Sequence, residues 1–237
     1  MIKISILFTA TLVLISCGKN NGEIITTNHD LSPFHSIELN GVFDVELIED
    51  NHFSIQISGS DAVTKDLTFE VVDQLLNIDN TDTKLWLNPK LDPPLLTISG
   101  KGLKFIDVNE TCNIKTLNTI TTDTFGIVLG GKLNIATIDL DTKWFYYWNT
   151  APNGGKVTLT GKAGYVQIYN STLMSVDASQ LPCDGATVET NSKSDVRVFV
   201  RNKLEYSITG TGNIYLKGNP SEIIPGELAS TGRLIHL

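Results

Sequence analysis

Apolar side chains in this chain return at a spacing of ~20 residues, in short runs that alternate with polar residues and stop on Gly or Asn. Val176, Val196 and Ile214 form one such series, and Val166, Val188 and Tyr206 another. The pattern is clearest from Asp195 to Pro220, where three alternating runs surround the turn Thr209-Gly210-Thr211-Gly212-Asn213. A unit this small cannot bury its own apolar face, so successive units must stack. No helical spacing runs beyond about two turns. The chain therefore reads as all-β, a single-stranded parallel β-helix (solenoid) with aliphatic residues pointing inward. An antiparallel β-sandwich is the alternative, since short strands suit it as well.

Upstream of these rungs the alternation is equally plain. Phe43, Val45 and Leu47, then Phe53, Ile55 and Ile57, predict two strands joined by a short loop. Leu67, Phe69 and Val71 predict a strand that turns at Asp73-Gln74 and returns through Leu75 to Ile78. Asn80 to Pro94 holds three prolines, which donate no ladder hydrogen bond, so it reads as a loop.

The N-terminus reads as a processing segment. Lys3 precedes an apolar run, Ile4 to Ile15, that is shorter than the ~20 residues a membrane span needs. Leu14-Ile15-Ser16-Cys17-Gly18 then resembles a bacterial lipoprotein signal, which implies cleavage after residue 16 and acylation of Cys17. More than one acyl chain makes such anchoring stable. An ordinary secretory leader with a chance cysteine is the plainer alternative. The absence of Asp at Gly18 favours the outer membrane within that resemblance. Residues 17–33 are Asn- and Thr-rich and read as a lipidated, flexible tether, with the folded domain over 34–237. Cys112 and Cys183 read as two buried free thiols; an exported protein could also oxidise them to a disulfide.

The net charge of −8 becomes one unit more negative without a leader whose only charge is Lys3. With no Lys/Arg cluster, such a chain lacks the phosphate-neutralising surface that nucleic-acid binding requires. The four histidines have no metal-ligand spacing, and neither a nucleophile elbow nor a phosphate loop is present. No metal or other cofactor is expected. Asp184 and Asp195 sit at turn edges where calcium could bind, but their spacing matches no calcium loop. Asp139 and Asp141 share one face of a strand. They keep open a second reading, a carbohydrate-active β-helix enzyme acting on polysaccharide; solvated turn carboxylates are the plainer account.

Several stretches resemble the family described as putative auto-transporter adhesin, head GIN domain. They are Phe34 to Leu39 with Gly41 to Leu47, Ile57 to Asp61 leading to Phe69-Glu70-Val71 and Leu76-Asn77-Ile78, and Leu204 to Pro220 followed by Ser230-Thr231-Gly232. The resemblance covers most of Phe34 to Leu237 and implies a right-handed β-helix, lipid-anchored or exported. It supplies no catalytic residue.

The chain departs from that pattern at Trp144-Phe145-Tyr146-Tyr147-Trp148. In a strand, Trp144, Tyr146 and Trp148 share one face and Phe145 and Tyr147 the other. An outward Trp-Tyr-Trp row would be a platform for sugar rings or a protein partner. The competing expectation is that both faces are covered, one by the core and one by the proline-rich loop. The function expected from sequence is a non-enzymatic, adhesin-like or scaffolding lipoprotein of the cell envelope. Its expected partners are the membrane, through the anchor, and a glycan or envelope protein. Open solenoid ends leave room for self-association.

Overall fold

The computed structural model describes residues 23–80, 91–150 and 153–237. Cys17, the leader, and the Leu85-Trp86-Leu87 part of the proline-rich loop lie outside them. The chain is nearly all strand, 70 %, wound into a β-solenoid of about 6 turns.

The regular coils begin at β8 (Phe105–Val108) and β9 (Cys112–Thr116). They continue through β10 (Ile120–Leu129), β11 (Leu133–Asn149), β12 (Gly154–Asn170), β13 (Leu173–Thr190) and β14 (Val196–Ile208). They end in β15 (Ile214–Lys217), β16 (Glu222–Leu228) and β17 (Leu234–His236). Strands β11 to β13 bend round the corners and each make most of a coil. Every one of these strands pairs in parallel with the equivalent segment one coil away.

That stacking puts like beside like. Ile114, Ala136, Val157, Val176, Val196 and Ile214 stand in register, all buried. On the next face Ile106, Ile127, Tyr147, Ile168 and Val188 do the same. Each fully buried aliphatic side chain contributes roughly 1.5–3 kcal/mol, and the column has no break between coils. The series Val176, Val196, Ile214 is in the expected register. The series through Val166 is not: Val166 pairs with Ala186, and Ile168 is the residue beside Val188, which in turn pairs with Tyr206. Both candidates point inward, so alternation alone could not choose between them.

Buried asparagines hold the corners. Asn149 Oδ1 accepts from the Ser171 amide at 2.7 Å while its Nδ2 donates to the Ser171 carbonyl at 3.0 Å. Asn153 Nδ2 donates to the carbonyls of Leu129 and Gly130 at 3.0 and 2.8 Å. Each satisfies a backbone group that the bend removes from the ladder. At Gly155, φ is +125°, and a Cβ would lie 1.9 Å from the Asn134 carbonyl oxygen. Only glycine fits so close an approach between coils.

The N-terminal part is mixed. Its strands are β1 (Ile24–Asp30), β2 (Ser36–Asn40), β3 (Phe43–Glu49), β4 (Ser54–Ser60), β5 (Leu67–Val72), β6 (Leu75–Asn80) and β7 (Leu95–Gly100). A single helical turn, α1 (Asp61–Thr64), follows β4. The β5–β6 hairpin forms as expected, with Asp73 and Gln74 at φ 50° and 65° in its turn. The predicted strands β3 and β4 also form but do not pair with each other. β7 lies between them: Leu96 stands beside Val45 in parallel and beside Ile57 antiparallel. The stretch expected to be tether differs too, since β1 runs antiparallel to β4 from Ile24 opposite Ser60 to Asp30 opposite Ser54. Its side chains are all exposed, which is why its composition resembles a linker.

The antiparallel-sandwich alternative does not hold. Among the described residues antiparallel pairing is confined to β1–β4, β4–β7 and β5–β6.

Candidate functional site

The aromatic run lies in the second half of β11. Alternation places Phe145 and Tyr147 inside, both fully buried, with Phe125 stacked on Phe145 at 6.3 Å. Burial pushes the Tyr147 phenol well above its ordinary range, and its hydroxyl has no hydrogen-bond partner. Trp144 and Trp148 point outward and are 43 % and 57 % exposed. Tyr146 is half-buried. Its ring lies down over Gly126 on the preceding coil, where a Cβ would stand 1.9 Å from its Cζ, and stacks on Phe105 at 6.1 Å. Burial raises the Tyr146 pKa as well. Of the three residues expected to form a flat row, the two tryptophans stand out as blades and the tyrosine forms the floor between them.

The next coil extends the surface. Tyr165 stands directly beside Trp144 and Tyr169 beside Trp148, with ring centroids 4.9 and 6.3 Å apart. Both phenols are braced. The Tyr165 hydroxyl meets Thr187 Oγ1 at 2.6 Å, and Gln167 Nε2 donates to the Tyr169 hydroxyl at 2.6 Å. Gly185 leaves room for the Tyr165 ring, since a Cβ there would be 2.8 Å from its Cε2. The result is a two-coil patch of Trp144, Trp148, Tyr165 and Tyr169 over Tyr146, on hydrogen-bonded strands that hold the rings in place. Nothing local in the sequence singles out Tyr165 and Tyr169. They repeat the Trp144/Trp148 spacing one coil later, so the register would have found them.

The other candidates are occupied structurally. Asp139 Oδ1 accepts from Thr160 Oγ1 at 2.8 Å and its other oxygen from Thr119 Oγ1, and Asp141 is paired with Lys162 at 3.0 Å. Asp184 faces Arg201 at 3.7 Å, and Asp195 accepts from the Asn213 amide at 3.0 Å. Among the described residues no group of three or more His, Cys, Asp or Glu side chains is arranged to hold a metal ion. Cys112 and Cys183 are buried free thiols whose pKa values burial pushes up to about 12. Each donates to a backbone carbonyl, Gly41 at 3.4 Å and Phe199 at 3.3 Å.

The family model described as putative auto-transporter adhesin, head GIN domain, matches residues 33–220. The chain belongs to this family. Crystal structures of other bacterial proteins share its fold. A putative adhesin from Bacteroides fragilis is 18 % identical, with a TM-score of 0.80 over 91 % of this chain and 97 % of that one. A putative adhesin from Parabacteroides distasonis is 16 % identical, with a TM-score of 0.65 over 92 % and 98 %. A putative lipid binding protein from the same species is 16 % identical, with a TM-score of 0.62 over 91 % and 98 %. No curated protein matches the sequence. The adhesin description of the family points to an extracellular or envelope-associated protein.

Proposed function

We propose that this GIN-domain protein is a non-enzymatic binding module of the cell envelope that engages a carbohydrate through its aromatic face. The reading rests mainly on the geometry of that face: two half-exposed tryptophans, each backed by a tyrosine from the next coil. Exposed apolar rings on a rigid sheet, rimmed by hydroxyls and amides, suit the apolar faces and polar edges of sugar rings. Acylation at Cys17 and placement at the outer membrane are the parts of the proposal that rest on the leader sequence alone. An enzymatic role for Asp139 and Asp141 is disfavoured because hydroxyls and Lys162 already engage their carboxylates.

The test is a glycan array probed with the full chain and with a Trp144→Ala/Trp148→Ala double variant. Both side chains are substantially exposed, so circular dichroism should remain β-rich while glycan binding falls about a hundredfold. Unchanged binding by the variant would refute the role of this face. Turnover of a bound polysaccharide, lost on Asp139→Asn or Asp141→Asn, would favour the enzymatic reading.

A further inference from the structure

Tyr169 does more than support Trp148: it also forms one wall of a shallow groove of about 300 Å³ that continues along the solenoid axis. The outward column runs Trp148, Tyr169, Glu189, Ser207 from one coil to the next. Three steps between neighbouring strands, ~4.8 Å each, make this path roughly 14 Å long. Glu189 and Glu227 flank the groove, both exposed, and among the described residues neither carboxylate has an ion pair or hydrogen-bond partner. Asn170 forms part of its inner wall. It is 3 % exposed, its Nδ2 donates to the Met174 carbonyl at 2.9 Å, and its Oδ1 has no partner. Among the described residues no lysine or arginine lines the groove.

Building on the carbohydrate reading above, we infer that the ligand is an extended glycan chain without acidic groups, lying along the solenoid axis from the Trp148–Tyr169 pair into the groove between Glu189 and Glu227. The aromatic end supplies a stacking surface. The groove end supplies acceptors, the carboxylates of Glu189 and Glu227, which call for hydroxyl or amide donors on the ligand. A uronate or sulfate chain would bring its charge against Glu189 and Glu227 with no cation to balance it. The coil spacing of the protein lets consecutive sugars meet consecutive side chains of one column.

The experiment is calorimetric titration of the full chain with cellohexaose, hexa-N-acetylchitohexaose and a galacturonate hexamer. A Glu189→Ala/Glu227→Ala variant is titrated in parallel; both side chains are exposed, so the fold is kept. The expected result is binding of at least one neutral hexamer, with the galacturonate chain at least about tenfold weaker and the double glutamate variant about tenfold weaker for the neutral chain. If Trp144→Ala/Trp148→Ala abolishes binding while the glutamate variant binds normally, the axial path is wrong and the aromatic reading stands. Tighter binding of galacturonate would overturn the neutral-ligand inference alone. Binding of none of the three hexamers would overturn this inference, and the glycan array would then decide the broader reading.

Discussion

From Phe105 onward every described strand pairing is parallel, whereas the residues before it include three antiparallel pairings around β4, β5 and β7. The parallel region repeats one solution: an inward apolar side chain above another, coil after coil, with asparagines at the bends. The N-terminal region ends the stack. Leu67, Phe69 and Val71 on β5 pack against the core from a hairpin, and β1 adds a further strand alongside β4. Toward the opposite end, Leu228 on β16 is 55 % exposed. A stack of coils needs a distinct terminal structure to close its column. The proposed aromatic face sits away from that cap, on β11 and β12, which pair without a register shift, so that side chains from successive turns are aligned.

The contrast predicts unequal sensitivity. Ile168→Ala, in the middle of the parallel column, should cost about 2–5 kcal/mol in denaturant unfolding, because both neighbouring coils lose contacts. Phe69→Ala in the half-covered cap should cost about half as much or less. Equal losses would mean that the cap is as tightly integrated as the coils.

A second substitution separates surface from core. Gly126→Ala puts a methyl where the Tyr146 ring lies, so the ring must swing away from Phe105. The expected outcome is a loss of about 1 kcal/mol in stability with a clear loss of glycan affinity, measured by thermal unfolding and titration. Full affinity in this variant would show that the floor of the aromatic face is dispensable.

In the cap, Gln74→Gly should stabilise by about 0.5–1 kcal/mol. Gln74 holds φ 65° in a two-residue hairpin turn, a left-handed conformation that glycine adopts at little cost.

The smallest effects are electrostatic and have opposite signs in the early and later coils. Asp107 on β8 is shifted upward from 3.8, by burial first and by Glu38 second, against a smaller lowering from the Val108 amide. Its folded form binds the proton more tightly, so its contribution to stability is present at low pH and is lost as pH climbs from 3.8 through the raised value. Asp177 on β13 is also raised by burial, but hydrogen bonds from the Ser179 side chain and amide, with Arg197 and Lys156, outweigh this and lower it overall. Its contribution is present above 3.8 and is lost as pH falls through the lowered value. Asp107→Asn and Asp177→Asn should therefore change the slope of stability against pH in opposite directions below neutrality, as followed by urea unfolding at several pH values.

Alternation made most of the strands legible, because in-out periodicity is a local property. It also placed Trp144 and Trp148 on the face opposite Phe145 and Tyr147. Pairing over long separations was less legible. Nothing near Phe53 says that Leu95–Gly100 will insert between β3 and β4, and nothing near Val166 says that Ile168 will meet Val188. β1 was hidden because an edge strand with both faces exposed needs no apolar alternation. The groove was hidden because Tyr169, Glu189, Ser207 and Glu227 become neighbours only through a register that spans several coils.

The most direct test of the account is hydroxyl-radical footprinting of the full chain with and without the glycan that binds it most tightly. Protection of Trp144, Trp148 and Tyr169, with β1 and β5 unchanged, is the predicted result. Protection confined to the N-terminal cap, with both tryptophans still fully reactive, would contradict it.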